Sequence, residues 1–336
     1  MKTKLFQRDQ IKEAASLLRA GKNVIFPTET VYGLGGRYDD ELALDGIFKA
    51  KNRPGNNPLI LHIHDRSQLK DIVEDVPEAA EALMDAFWPG PLTLIFTKKD
   101  TVSEKISAGL PSVAVRMPSH PVALALLKEV GVPVAAPSAN PSGYPSPTRE
   151  EHVLEMMGHV DGILLGGDAE VGIESTVLDL RYDPMRILRP GIITSDDIKG
   201  LDLEVFRVKD EEESASPGVL HRHYAPRAKV SVIKGSKAAI EQLIETEVDA
   251  VFLVSDEYWK PNDNRLIRFV PEASLEHAAK EYYALLRELD RQNVKTIYIL
   301  ALEETPSSEA LMDRMMRSAD GRCLQLGDSD ECSHRK

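Results

Sequence analysis

The sequence predicts an α/β protein: an open twisted sheet with mixed parallel and antiparallel strands, then a small doubly wound, Rossmann-like C-terminal domain. Three observations carry this. Strand and helix patterns mix through residues 1–207 without a strict βαβ rhythm, and hairpin-like neighbours come late. The stretch 209–218 (Lys-Asp-Glu-Glu-Glu-Ser-Ala-Ser-Pro-Gly) is acidic, then small, then turn-forming, which is linker chemistry. Beyond it, strand and helix patterns alternate regularly. The expected division is 1–207 for the first domain, 208–228 for a linker or lid, 229–327 for the second domain and 328–336 for a polar tail.

Each element has a local reason. Ile11, Ala14, Ala15, Leu17 and Leu18 recur at helical spacing before Gly21, a helix stop. Val24–Phe26 reads as a short buried strand whose exit, residues 27–36, is rich in glycine and hydroxyls. A helix is expected from Asp40 to Lys51. Strands are expected at 59–63, 92–97, 113–117, 132–136, 162–165, 176–180 and 186–188, and helices at 79–87, 121–130 and 149–157. Past the linker, 229–233, 250–254, 265–269 and 296–300 read as strands, and 236–245, 275–290 and 307–318 as helices.

Composition narrows the function classes. The 336 residues are 42% apolar and 28% charged, ordinary for a globular protein and against long disorder. No run nears the ~18 apolar residues of a membrane span. The basic N-terminus lacks an apolar core and a cleavage site, so a cytoplasmic location is expected. Cys323 and Cys332 alone cannot build a disulfide framework or a four-cysteine zinc site. Net charge is −13; cutting after Arg207 gives 23 − 30 = −7 and 18 − 24 = −6. Neither half is a basic platform, so tight direct nucleic-acid binding is not expected.

Five polar segments stand at predicted strand or helix ends, where open α/β sheets bind ligands. Lys49 and Lys51 end a helix, and a cation there has a plain capping reading. That reading does not cover Arg53, Asn56 and Asn57 in a tight turn before a strand, a set suited to phosphate oxygens. Arg116 shares a strand face with Ser112 and Ala114. It needs a partner, either a structural acid or a ligand carboxylate or phosphate. Ser138 and Asn140 follow a strand, as turn residues or as close neighbours of a ligand. Glu174, Ser175 and Thr176 open another strand, and Arg189 closes a later one. His62 and His64 share a strand face without a third metal ligand nearby, so packing is the simpler reading. There is no Walker A motif, dinucleotide fingerprint or nucleophile elbow.

In combination these segments resemble a known family. Pro27-Thr28-Glu29-Thr30-Val31-Tyr32-Gly33-Leu34, Lys51-Asn52-Arg53-Pro54, Asn57-Pro58-Leu59, Trp88-Pro89-Gly90-Pro91-Leu92-Thr93, Val115-Arg116-Met117-Pro118, Pro137-Ser138-Ala139-Asn140 and Glu174-Ser175-Thr176-Val177 are similar in order and spacing to the YrdC-type threonylcarbamoyl-AMP synthases. Ser216-Pro217-Gly218 through His223-Tyr224-Ala225-Pro226 resembles the linker of the two-domain branch. Ser112 stands where threonine is common, and Val219-Leu220 replaces Met-Lys.

The resemblance implies a YrdC-like fold and a nucleotidyltransferase that makes threonylcarbamoyl-AMP and pyrophosphate from L-threonine, bicarbonate (or CO2) and ATP. The product would pass to the tRNA threonylcarbamoyl-transfer machinery. Thr30, His62, Arg116 and Ser175 would hold threonine. Lys51 and Arg53 would be catalytic cations, and Arg53, Asn57, Ser112, Ser138, Asn140, Ser146, Arg189, Arg222, His223 and Tyr224 would contact ATP. Mg2+ would enter through the phosphates of ATP, without a protein cage. Two other readings stay open: an RNA-binding or ribosome-associated module, and a carbamoyl-phosphate-dependent carbamoyl transferase.

Overall fold

A computed structural model describes residues 2–208, 224–270 and 274–327. It divides into two compact units, Met1–Ser142 with Ser146–His221, and Gly143–Pro145 with Arg222–Lys336. The short insertion 143–145 has no counterpart in the expected boundaries.

The first unit runs β1 (Lys4–Phe6), α1 (Ile11–Arg19), β2 (Val24–Phe26), β3 (Gly33–Arg37), α2 (Glu41–Lys51), β4 (Ile60–His62), α3 (Glu78–Phe87), β5 (Leu92–Thr97), α4 (Glu104–Ser107), β6 (Ser112–Arg116), α5 (Pro121–Val130), β7 (Val134–Ala135), α6 (Glu150–Val153), β8 (Gly162–Leu164), β9 (Thr176–Asp179), β10 (Met185–Arg189), α7 (Ser195–Lys199) and β11 (Val205–Arg207). The strands form one sheet in the order β1-β8-β2-β3-β7-β4-β6-β5-β9-β10-β11. It is mixed as expected: β4 runs parallel to β6, while β5 is antiparallel to β6 and β3 to both β2 and β7.

Burial follows the strand period. Ile25 joins the apolar cluster of Leu44, Ile47, Leu61, Leu94 and Val115, while its neighbours Val24 and Phe26 join Ala14, Leu18, Leu126 and Leu127. That is what a strand covered on both faces requires. α5 shows how local chemistry sets a boundary. Pro121 occupies its first turn, the His120 ring accepts from the Val122 N–H, and Gly131 ends it at φ 80°. Leu127→Ala there would empty a fully buried site, at about 2–5 kcal/mol.

Four strands depart from the sequence-based expectation. β3, Gly-Leu-Gly-Gly-Arg, reads as a loop because it lacks alternating side chains. Its glycines are what let it pair, since a Cβ on Gly35 would lie 2.8 Å from Phe26 Cε1 and from Val134 Cγ1. β1 and β11 are three-residue edge strands, recruited by β8 and β10 rather than by their own pattern.

The second unit contains β12 (Lys229–Gly235), α8 (Lys237–Thr246), β13 (Val251–Ser255), β14 (Leu266–Val270), α9 (Leu275–Arg291), β15 (Thr296–Leu300), α10 (Pro306–Ser318) and β16 (Cys323–Leu326). Its five strands are all parallel, in the order β14-β13-β15-β12-β16, the small doubly wound sheet expected from the alternation. β16 is the fourth unexpected strand, and Cys323 in it is exposed. Among the described residues no helix is long and apolar enough to cross a membrane.

Candidate active site

Register brings polar side chains together in the first unit. His62, at the carboxyl end of β4, lies opposite Arg116 at the carboxyl end of β6, and Thr93 of β5 lies opposite Arg116 on the other side. Arg116 is 4% exposed. Its Nη1 donates to Thr30 Oγ1 (2.8 Å), its Nε donates to the Gly90 carbonyl (3.3 Å), and its Nη2 is 2.7 Å from Glu29 Oε1. Gly90 suits its place because a Cβ there would meet the Phe87 carbonyl oxygen at 2.4 Å. Thr30 Oγ1 also lies 2.9 Å from Thr28 Oγ1. The chain continues beyond β5. Thr93 Oγ1 is 2.7 Å from Ser175 Oγ, and Arg189 donates from Nε to the Ser175 carbonyl (3.0 Å) and from Nη2 to its hydroxyl (3.1 Å).

Electrostatics fix the charge states. Burial pushes the Glu29 carboxyl up, but the Arg116 guanidinium, helped by backbone hydrogen bonds from Ser119 and Glu29 itself, holds it below the usual carboxylate range. His62 is pushed down to about 3, first by burial and then by the Arg116 charge, so its imidazole is neutral at physiological pH. The site therefore presents one buried ion pair beside a neutral ring and several hydroxyls.

A second group gathers at the end of α2. Asn52 takes the left-handed conformation (φ 51°) that closes the helix, and Lys51 turns inward, 2% exposed. Its Nζ donates to the carbonyls of Ser138 and Asn140. Arg53 donates to the carbonyls of Asn57 (3.3 Å) and Pro58 (2.8 Å), which shapes the turn before β4.

The expected residues thus divide. Thr30, His62 and Arg116 come together, with Ser175 linked through Thr93 and Arg189 beyond it. Lys51, Ser138 and Asn140 form the second group, and Arg53 is tied to Asn57. Ser146 Oγ donates instead to Glu174 Oε1 (2.6 Å). Ser112 opens β6, opposite Thr97, about 13 Å along the strand from Arg116 at ~3.3 Å per residue. Tyr224, expected on ATP, is packed in the second unit: it is 4% exposed, its ring 5.3 Å from that of Tyr283 and 5.7 Å from the Arg314 guanidinium. Arg222, His223 and most of the expected lid lie outside the described residues. Sequence reasoning assigned no role to Glu29, Gly90, Thr93 or Glu174. The signal for Glu29 was Arg116's need for a partner, but nothing local pointed to an acid so distant in the chain.

A buried guanidinium among hydroxyls at aligned strand ends stands where open α/β sheet proteins take small ligands. Residues 16–191 match the family described as "Telomere recombination" (Sua5_yciO_yrdC), and residues 193–320 match the "Threonylcarbamoyl-AMP synthase, C-terminal domain" family. The chain is 42% identical over 334 residues to the threonylcarbamoyl-AMP synthase of Bacillus subtilis, covering 94% of each. It is 39% identical over 331 residues to that of Pyrococcus abyssi, covering 94% of this chain and 96% of the relative. The crystal structure of P. abyssi Sua5 complexed with L-threonine superposes with a TM-score of 0.86 at 36% identity, over 97% of this chain and 100% of that one. The chain belongs to the two-domain Sua5/YrdC family of threonylcarbamoyl-AMP synthases.

Proposed function

We propose that the Arg116 cluster binds L-threonine and that the α2-end group and its neighbours bind ATP, so that the chain forms threonylcarbamoyl-AMP and pyrophosphate from threonine, bicarbonate (or CO2) and ATP. One observation carries this reading above the others. Arg116, buried at a strand's carboxyl end, holds Thr30 and faces Glu29 and His62 in a chain of this family. A guanidinium has five N–H donors in a planar fork, so the contacts to Gly90, Thr30 and Glu29 leave capacity for a ligand carboxylate. Thr30, neutral His62 and Ser175 supply the hydrogen bonds for the amine and hydroxyl of the amino acid.

The chemistry follows from charge. The carbamate oxygen of N-carboxythreonine is the nucleophile; it forms a bond to the α-phosphorus as the bond to pyrophosphate breaks. No protein nucleophile is required. Positioning and charge neutralisation do the catalysis, with Arg53 and Arg189 as cations and Asn57, Ser112, Ser138, Asn140 and Ser146 as further nucleotide contacts. Mg2+ bound with ATP would neutralise phosphate charge. Glu29 and Glu174 are engaged with Arg116 and Ser146, so the cation is assigned to phosphate oxygens rather than to these carboxylates. Water must also be excluded, since a mixed carbamic–phosphoric anhydride hydrolyses readily; Arg222 and His223 stay expected nucleotide contacts and lie outside the described residues. The product is consumed by the machinery that transfers threonylcarbamoyl to tRNA.

Pyrophosphate release tests the reading. It is expected only when ATP, threonine and bicarbonate are all present. Release with carbamoyl phosphate replacing threonine and bicarbonate would favour the carbamoyl-transfer alternative.

A further inference from the structure

We infer that Lys51 is a positioning residue for the nucleotide-binding turn 138–142, rather than a cation whose main task is to touch phosphate. The inference rests on the proposal that Ser138 and Asn140 contact ATP, and it reassigns the residue that sequence reasoning placed among the catalytic cations. Lys51 is 2% exposed, and its ammonium donates to two carbonyls of the turn, those of Ser138 and Asn140. Its own carbonyl accepts from the Ser142 N–H at 2.9 Å. One residue thus grips the turn at three points, two through its side chain and one through its backbone.

The turn needs such a grip. Pro137 precedes it and Pro141 lies within it, and neither carries an N–H with which to hold it. On one side it is tied to β3 and the residue before it: the Leu34 N–H donates to the Pro137 carbonyl (2.9 Å), and the Ala139 N–H donates to the Tyr32 carbonyl (2.8 Å). The carbonyls of 138 and 140 accept from the Lys51 ammonium on the other side. An ammonium is a compact group with three donors and no acceptor, suited to bridge two converging carbonyls. α2 delivers it there, because the left-handed Asn52 ends the helix immediately after Lys51.

Hydrogen exchange of the ligand-free protein reads the grip directly. In Lys51→Met, which keeps the length and removes the donors, the amides of Ala139 and Ser142 are expected to exchange at least about tenfold faster than in wild type. AMP and ATP affinities should fall by the same factor, because the whole turn is displaced. A Ser142→Pro variant deletes the N–H bonded to the Lys51 carbonyl, together with the Ser142 hydroxyl; it should speed exchange at Ala139 with the ammonium intact, and it covers the case in which Lys51→Met does not fold. Unchanged exchange in Lys51→Met, or in Ser142→Pro if that is the variant that folds, would overturn the inference. So would a loss of ATP affinity with AMP affinity retained, since that marks a direct contact to the outer phosphates. Wild-type protein that binds no ATP would instead defeat the proposed nucleotide site, while the exchange result still decides the role of Lys51.

Discussion

Replacing Arg116 by methionine should do two separable things. The first is structural. Glu29 is 2% exposed and its charge is matched by Arg116 at 2.7 Å, so the single variant leaves a buried, uncompensated carboxylate. Breaking one partner of such a pair costs about 3–5 kcal/mol, a large share of a domain's total stability. The second is functional: the ligand carboxylate loses its clamp, and threonine binding should vanish. Adding Glu29→Gln to Arg116→Met separates the two effects, because replacing both members of a buried pair is often close to neutral. Urea melts should therefore place the single variant about 3–5 kcal/mol below wild type and the double variant within about 2 kcal/mol of it. Calorimetry should find no threonine binding to the double variant while ATP still binds. Wild-type threonine affinity in the double variant would refute the clamp. Equal instability of the two variants would refute the ion-pair argument.

Four further outcomes follow. Between pH 6.5 and 3 the unfolded chain binds a proton at His62 that the folded chain refuses, so stability should fall as pH drops through that window. The slope contributed is at most about 1.4 kcal/mol per pH unit, and His62→Gln should flatten the pH dependence of urea melts by about that amount. Arg53→Ala loses bonds to two carbonyls, worth about 1–3 kcal/mol, yet synthesis should drop at least about tenfold; parallel losses in a melt and an activity assay would reduce Arg53 to a turn staple. Deleting residues 209–336 should leave a cooperatively melting unit, because Val208 stays to pack with Ile60, Ile95 and Val177, but most synthesis should be lost. An Arg222→Ala/His223→Ala chain should resemble the truncation in activity, and wild-type activity there would make the linker only a tether.

How much of this was legible beforehand depended on where each signal resides. α5 was readable because proline, apolar spacing and Gly131 all lie within the helix and its stop. β5 was readable because its apolar run and flanking turn are local. β3 was not, because its reason for existing is the space against Phe26 and Val134, which only the fold creates. The site divides in the same way. That Arg116 needs a partner is written in its strand; that the partner is Glu29, beside Thr30, is tertiary information. Lys51 looked like a helix cap or a phosphate cation. Its contact to the 138–140 carbonyls depends on two distant segments meeting, which no local pattern shows. Tyr224 shows the same division: its neighbours in sequence suggest a lid, while its packing beside Tyr283 and Arg314 is tertiary information.

The central claim is that this chain joins threonine, bicarbonate and ATP into a mixed anhydride. Mass spectrometry of the full-length protein's products, with ATP, isotope-labelled bicarbonate and each amino acid offered singly, tests it most directly. The expected species is threonylcarbamoyl-AMP carrying one labelled carbon, formed with threonine far above any other amino acid and absent in the Glu29→Gln/Arg116→Met chain. A product without the labelled carbon, or one formed equally with all amino acids, would contradict it.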